Sequence, residues 1–190
     1  AYAQYIAAML GYLLVNQQDA AGLVTFDTAL RTYLPARARA SQVRSILETL
    51  DQTEPGGETA LAKIFHDIAE RIPRRGMVVI LSDLYDDPAA LIQALHHFRY
   101  RRHEVLLFHI VAEEELTFPF ESYTKFQDLE CADNRLPIDP RTIRATYLTR
   151  MRAFLDEIEA ACGRLKIDYV RMNTRVPYDQ ALAEYLSLRN

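Results

Sequence analysis

Apolar and polar positions follow two different periods along this chain. Residues 1–17 carry apolar side chains every three or four positions, which is the stripe of a helix packed on a core. Two later segments, 77–81 (MVVIL) and 104–111 (EVLLFHIV), are nearly continuous apolar runs. Such runs are typical of strands buried on both faces of a parallel sheet. The pattern therefore predicts helices that cover a buried sheet.

The remaining segments continue this alternation. Further strands are predicted over 23–26, 31–34 and 167–172, and further helices over 41–50, 58–72, 88–98, 140–162 and 179–188. The first two of these strands suggest a hairpin, and Gly163 is expected to end the long helix. The irregular stretch 117–138, with Pro119 and Pro137, is expected to hold a small hairpin insertion.

This order of elements indicates an α/β fold. Strands that alternate with helices of ten or more residues form a mostly parallel, doubly wound sheet with helices on both faces, which makes three layers. The 190 residues suffice for one well-buried domain and are short for two. Because no repeat or linker interrupts the chain, we expect a single domain over residues 1–190.

Composition and charge exclude several classes of protein. With 49% apolar and 25% charged residues the chain resembles an ordinary globular protein, and its apolar runs are too short to span a bilayer. The net charge of −4 lacks the positive excess of proteins that bind nucleic acid. Cys131 and Cys162 occur without a secretion signal, so we expect reduced thiols and a cytoplasmic location.

Charged residues gather at the two predicted ends of the sheet. Loops after the strands carry Asp27, 54–59, Asp83, Asp86, Asp87 and 113–115, whereas loops before them carry Arg74, Arg75, 99–102, Arg164 and Lys166. Ligands of such sheets bind at the carboxyl ends of the strands, and oxygen atoms are the ligands that Mg²⁺ or Ca²⁺ prefers. The alternative to a binding site is that these loops carry charges only because they are polar surface loops.

Two of these loop residues are candidate metal ligands. Asp83 ends an apolar strand, where a buried carboxylate would be costly unless it were paired or coordinated. Its alternative role is to cap the following helix or turn. Thr59 offers a hydroxyl oxygen, and its alternative role is the N-cap of the helix that starts there.

Sequence signatures of common enzyme classes do not occur. The five histidines show no H-E-x-x-H or H-x-H arrangement and neither cysteine lies in a C-x-x-C pair, so a zinc site has little support. The absence of G-x-x-x-x-G-K-S/T, G-x-G-x-x-G and G-x-S-x-G argues against P-loop, Rossmann and serine-hydrolase chemistry. His109, inside an apolar strand, is expected to be a hydrogen-bonded core residue.

Several segments resemble known families. Segments 22–27 (GLVTFD), 55–61 (PGGETAL) and 78–84 (VVILSDL) resemble, in this order, a von Willebrand factor A-type domain. The chain resembles more closely the C-terminal part of the bacterial proteins grouped as domain of unknown function 58, through 98–105 (FRYRRHEV), 118–121 (FPFE) and 167–170 (IDYV). The likeness runs through nearly the whole chain.

The resemblance implies a metal-ion-dependent adhesion site that holds Mg²⁺ or a similar divalent ion. In such a site a D-x-S-x-S loop after the first strand is joined by a Thr and an Asp from two later loops, and Thr59 and Asp83 match these by position. No D-x-S-x-S loop precedes the first helix of this sequence. We therefore expect the parent protein to bind Mg²⁺ and this chain alone to bind it weakly or not at all.

The resemblance also implies a function. Such domains bind partner proteins rather than catalyse, and the bacterial members resemble partners of MoxR-type AAA+ ATPases, which implies assembly or chaperone-like work by analogy. The competing hypothesis is a Mg²⁺-dependent phosphoryl-transfer or hydrolytic enzyme that uses Asp83, Asp86 and Asp87. Against it, no nucleophile or general base occurs at a recognisable spacing. Upstream segments of the parent could tether it to a membrane.

In the A-type strand order, the first strand lies between the strands that contain Val24 and Val79. Without it, backbone groups along both strands lack partners, at a cost of about 1–3 kcal/mol for each buried group. Either the two strands pair directly, or edges from two chains pair. We expect the second arrangement, a homo-oligomer.

Overall fold

The structure of the chain, a computed structural model, describes residues 1–27, 29–53, 61–120, 124–127 and 135–188. The helices in these ranges are α1 (Tyr2–Asn16), α2 (Ala40–Asp51), α3 (Leu61–Arg71), α4 (Pro88–Tyr100), α5 (Glu113–Thr117), α6 (Pro140–Leu165) and α7 (Tyr178–Leu188). The strands are β1 (Ala21–Phe26), β2 (Leu30–Arg37), β3 (Met77–Ser82), β4 (Glu104–Val111), β5 (Thr124–Gln127), β6 (Arg135–Ile138) and β7 (Asp168–Asn173).

A parallel sheet of three strands, in the order β3-β4-β7, lies at the centre of the fold. The register places Val79 of β3 opposite Leu106 of β4, and Leu107 of β4 opposite Tyr169 of β7. Because β4 is the middle strand, its residues 105–109 are all buried. Burial on both faces explains why the sequence of β4 is a nearly continuous apolar run.

Helices pack on both faces of this sheet. Leu106 and Phe108 of β4 belong to a core cluster that includes Ile6 of α1 and Leu182 of α7. Leu107 points to the opposite face, in a second cluster formed with α3, α4 and α6, whose members include Ile64, Leu95 and Ile158. The prediction of an α/β fold with helices on both faces of a parallel sheet is confirmed.

Within the described ranges, none of the helices combines the length and the apolar character that a membrane crossing requires.

The predicted hairpin is present and forms a sheet of its own, in which β1 and β2 are antiparallel. Gly22 is required there because a Cβ atom would lie 2.7 Å from the backbone oxygen of Leu34. Val24 packs against the α3 and α4 side of the molecule, whereas Leu23 packs against the cluster of α1 and α2. In the described part of the chain, no backbone ladder joins β1 to β3, so the two strands do not pair directly.

The long helix α6 does not end where the sequence indicated. Gly163 remains helical and the helix continues to Leu165, so the predicted end at Gly163 is wrong. The left-handed residue is Lys166, with φ 54°, and the Ile167 N–H donates to the Cys162 carbonyl at 2.9 Å. This is a Schellman motif in which Lys166, rather than a glycine, occupies the left-handed position.

The segment around residues 117–138 contains two features. Strands β5 and β6 pair antiparallel, as predicted for a small hairpin, and the residues between them lie outside the described ranges. The short helix α5 was not predicted. Its five residues are too few to show a helical period in the sequence.

Candidate functional site at the carboxyl end of the sheet

Asp83 directly follows β3, at the carboxyl end of the parallel sheet, and it is exposed to solvent. Its Oδ1 accepts a hydrogen bond from the Tyr85 N–H at 3.4 Å, while the Leu84 N–H donates to the Ser82 Oγ at 3.1 Å. Asp83 therefore closes a turn, which is the alternative role that the sequence left open. Because water solvates this carboxylate, burial does not force it to find a cation.

His109 of β4 holds the Asp83 loop from inside the sheet. Its Nε2 lies 3.0 Å from the Asp83 backbone oxygen and its Nδ1 lies 2.8 Å from the Tyr169 hydroxyl. Burial lowers the pKa of His109 to about 4, so the ring is neutral at pH 7. Since a carbonyl only accepts, Nε2 carries the proton and Nδ1 accepts from Tyr169. The prediction that His109 is a hydrogen-bonded core residue is confirmed.

The neighbouring carboxylates at this loop bind the backbone. Asp87 is the N-cap of α4 and accepts from the Ala90 N–H at 2.9 Å, and Asp86 accepts from the Asp87 N–H at 2.7 Å. In the described ranges, these two residues and Asp83 do not form a group of three converging ligand atoms. The carboxylates that the enzyme hypothesis would use are therefore not gathered around one point there.

The other acidic residues of this edge also have local partners. Glu113 pairs with Asn173 and, at 3.8 Å, with Arg175. Glu115 accepts from the Ala112 N–H at 2.7 Å and so caps α5. Asp27 forms an ion pair with Arg31. Among the described carboxylates of the predicted acidic edge, Asp27 and Glu113 are therefore paired with arginines.

The ligand chemistry at Asp83 fits a hard divalent cation. Its carboxylate and the Ser82 hydroxyl, whose Oγ lies 3.5 Å from Asp83 Oδ1, are oxygen donors of the kind that Mg²⁺ binds together with several waters. Thr59, like all of residues 54–60, lies outside the described residues. The pairing of Thr59 with Asp83 therefore stays a prediction.

The amino end of the sheet is less basic than the sequence indicated. Arg75 pairs with Glu104 at 3.7 Å and Arg101 with Glu70 at 3.6 Å. Arg99 donates to the backbone oxygens of Leu165 and His103, which ties α4 to the end of α6. A shallow cavity of about 180 Å³ at this end has Arg99, Lys166, Glu104 and Asp168 in its wall, so both signs of charge meet there.

A cluster on α3 and α4 was missed by the sequence analysis. His66, Glu70 and His97 bring three ligand atoms within 4.8 Å of one another. The four-residue spacing of His66 and Glu70 was visible in the sequence and places both on one face of a helix. His97 comes 27 residues after Glu70, so only the packing of the two helices reveals the third member.

Comparison with known proteins connects the chain to one family. The family model described as "Protein of unknown function DUF58" matches residues 1–155. The conserved hypothetical protein BatB from Bacteroides thetaiotaomicron has a similar structure, with TM-score 0.59 and 16% identity, over 98% of this chain and 86% of that one. An aerotolerance-related membrane protein from Bacteroides fragilis is similar with TM-score 0.57 and 16% identity, over 95% and 85% of the two chains. No curated protein sequence matches. At this identity the structural likeness shows a shared fold.

Proposed function

We propose a function for this chain, which belongs to the DUF58 family of proteins of unknown function. We propose that it is a non-catalytic module that binds another protein at the carboxyl end of its parallel sheet. The surface in question is the loop from Asp83 to Asp87, together with the neighbouring end of β4.

One observation carries this proposal: an exposed carboxylate stands on a rigidly held loop. Asp83 is open to solvent, while its own backbone oxygen is tied to His109 in the core at 3.0 Å. A partner that meets this loop gains an interaction with a charged group without having to order it first. Such preorganisation reduces the entropic cost of binding.

The resemblance to the von Willebrand factor A-type domain supplies the chemistry of recognition. We propose that Asp83 and Thr59 contribute to an Mg²⁺ site that a carboxylate of the partner protein joins. The ion would add a hard positive charge between two carboxylates that otherwise repel each other. The partner that this analogy favours is a MoxR-type AAA+ ATPase, in assembly or chaperone-like work in the cytoplasm.

Two buried residues, His109 and Cys162, are held in forms that do not serve as a charged acid or as a nucleophile. Burial lowers the pKa of His109 to about 4, and both of its ring nitrogens have hydrogen-bond partners. Burial raises the pKa of Cys162 to about 11, so its sulfur is a thiol rather than a nucleophilic thiolate. A phosphatase assay with Mg²⁺ tests the competing enzyme hypothesis, because turnover that Asp83→Asn abolishes would support it.

The binding proposal is tested with the purified chain and the MoxR-type ATPase from the same organism. Biolayer interferometry in Mg²⁺ should show binding that Asp83→Asn weakens by about tenfold or more, because a charged interaction contributes on the order of 1.5–3 kcal/mol. Asp19→Asn is the matched control, since Asp19 is exposed in the turn after α1. Equal affinities for wild type and Asp83→Asn would overturn the proposed binding surface.

A further inference from the structure

The missed cluster on α3 and α4 is positioned by a buried aromatic contact. Phe65 of α3 and Phe98 of α4 are both 1% exposed and meet edge to face, with ring centroids 5.9 Å apart. His66 follows Phe65 and His97 precedes Phe98 in sequence. The core contact thus fixes the register of the two helices and sets the two histidines side by side at the rim.

The three side chains of this cluster converge closely. The rings of His66 and His97 have centroids 4.2 Å apart and planes inclined by 34°. Glu70 lies one helical turn after His66, and its Oε1 is 2.9 Å from the Nε2 of His97. One ligand atom from each residue lies within 4.8 Å of the others.

An ion pair alone does not account for this arrangement. His97 and Arg101 both pair with Glu70, at 2.9 Å and 3.6 Å, and they would satisfy its carboxylate without a second imidazole. The imidazole of His66 has no hydrogen-bond partner among the described residues, and its ring lies against that of His97. Two imidazoles and a carboxylate whose ligand atoms lie this close together have the donor composition of a metal site.

We propose that His66, Glu70 and His97 form a binding site for one divalent transition-metal ion of the Zn²⁺ class. Zn²⁺ binds imidazole nitrogen and carboxylate oxygen at about 2.0–2.2 Å, so two donors on one ion are at most about 4.4 Å apart. The ligand atoms of the three residues lie within 4.8 Å of one another, so small side-chain rotations would bring them to these distances. Three protein ligands leave a coordination position for water or an external ligand.

Arg101 contributes as a positioning residue. Its Nη1 lies 3.6 Å from the Oε2 of Glu70, while Oε1 of the same carboxylate faces His97. This contact holds the Glu70 carboxylate against α4, next to the ring of His97. A metal ion would take the place of the proton shared between Glu70 and His97.

This site is independent of the proposed protein-binding surface. Helix α3 leads into the amino end of β3 and α4 leads into the amino end of β4, whereas Asp83 lies at the carboxyl end of β3. The donors also differ, because imidazole nitrogens suit Zn²⁺, Ni²⁺ or Cu²⁺ and not Mg²⁺. A bound ion would link α3 to α4 across their contact.

The test is a calorimetric titration of the untagged chain with Zn²⁺, repeated with Co²⁺ to record its visible absorption. We expect one equivalent of Zn²⁺ to bind and Co²⁺ to give the intense bands of a low-coordinate site. His97→Gln and Glu70→Gln should each weaken Zn²⁺ binding by about tenfold or more, since even partners outside the ligand shell contribute 10–100-fold.

Matched controls come from the next residues on the same helices. His96 and Asp67 are exposed and lie outside the cluster, so His96→Gln and Asp67→Asn should bind Zn²⁺ like the wild type. Far-ultraviolet circular dichroism confirms that each variant is folded. The proposal is overturned if the wild type binds no Zn²⁺, or if His96→Gln weakens binding as much as His97→Gln does.

Discussion

The carboxyl end of the sheet and the α3–α4 cluster both offer groups that bind cations, but they are built in opposite ways. At the carboxyl end, His109 is buried, whereas Asp83, whose backbone it holds, is exposed. In the cluster, His66 and the carboxylate of Glu70 are both on the surface, and His97 is only partly buried. One histidine is therefore part of the scaffold and the other two are available to a ligand.

This difference shows that burial decides what a histidine can do in this fold. His109 uses both ring nitrogens to join β3, β4 and β7, and its neutral form is fixed by the core. At the rim of two helices, His97 pairs with Glu70 and the ring of His66 lies against that of His97. The same side chain stabilises the first region and makes the second a candidate metal site.

Replacing the buried His109 should destabilise the fold far more than replacing a histidine of the cluster. His109→Phe leaves the Tyr169 hydroxyl and the Asp83 carbonyl without their partner, and each unmet buried group costs about 1–3 kcal/mol. We expect urea unfolding at pH 7.5 to show a loss of about 2–5 kcal/mol. His97→Gln, at the cluster, should change the free energy of unfolding by less than about 1 kcal/mol. Similar losses of unfolding free energy in both variants would show that His109 is no more important to stability than His97.

The pH dependence of stability should show that the fold holds His109 in its neutral form. The pKa of His109 is about 4 in the folded chain and about 6.5 when unfolded, so between these values the unfolded chain binds more protons. Stability is therefore complete above pH 6.5 and falls as the pH drops toward 4, by about 3 kcal/mol from this residue.

His109→Phe provides the matching control for that pH window. Burial also lowers the pKa of His103, but His103 contributes with the same sign in both proteins and cancels from their difference. Urea unfolding of the two proteins from pH 4 to 7 should give a steeper curve for the wild type. Parallel curves would mean that His109 is not held neutral by the fold.

Association of the chain tests the edges of the central sheet. In the described structure β3 pairs with β4 alone, and Met77 at its start is 48% exposed. An edge strand of this kind can pair with another chain. We expect sedimentation equilibrium to show concentration-dependent association that Met77→Lys reduces. A clean monomer at high micromolar concentration would contradict the expected homo-oligomer.

The smallest expected effect is that of Mg²⁺ on the chain alone. Asp83 and Thr59 supply at most two protein ligands, and Mg²⁺ gives up its waters reluctantly. Calorimetry should therefore find weak or no binding of Mg²⁺, in contrast to Zn²⁺ at the α3–α4 cluster. Micromolar affinity for Mg²⁺ would show that the carboxyl end is a complete site.

How much the sequence predicts depends on whether a feature is local. The limits of β4 were predicted correctly because a strand that is buried on both faces has apolar residues at nearly every position. The end of α6 was misplaced because Lys166, rather than Gly163, occupies the left-handed position. For Asp83 the sequence left a turn role and a metal role open, and the structure shows the turn contact to the Tyr85 N–H, while metal binding stays a prediction.

The α3–α4 cluster illustrates what local patterns cannot show. His66 and His97 are 31 residues apart, and they meet because Phe65 and Phe98 pack in the core. Known metal motifs are recognised by short spacings on one element. A site shared between two helices depends on their register, which follows from the packing of the whole core.

Hydrogen exchange can locate the surface through which this chain binds a partner protein. Amide exchange is compared for the free chain and for its complex with the MoxR-type ATPase in Mg²⁺. We predict slower exchange in the complex at residues 83–87 and 112–116, with α3 and the second half of α4 unchanged. Protection confined to α3 and α4, with none at residues 83–87, would show that the partner does not bind at the carboxyl end of the sheet.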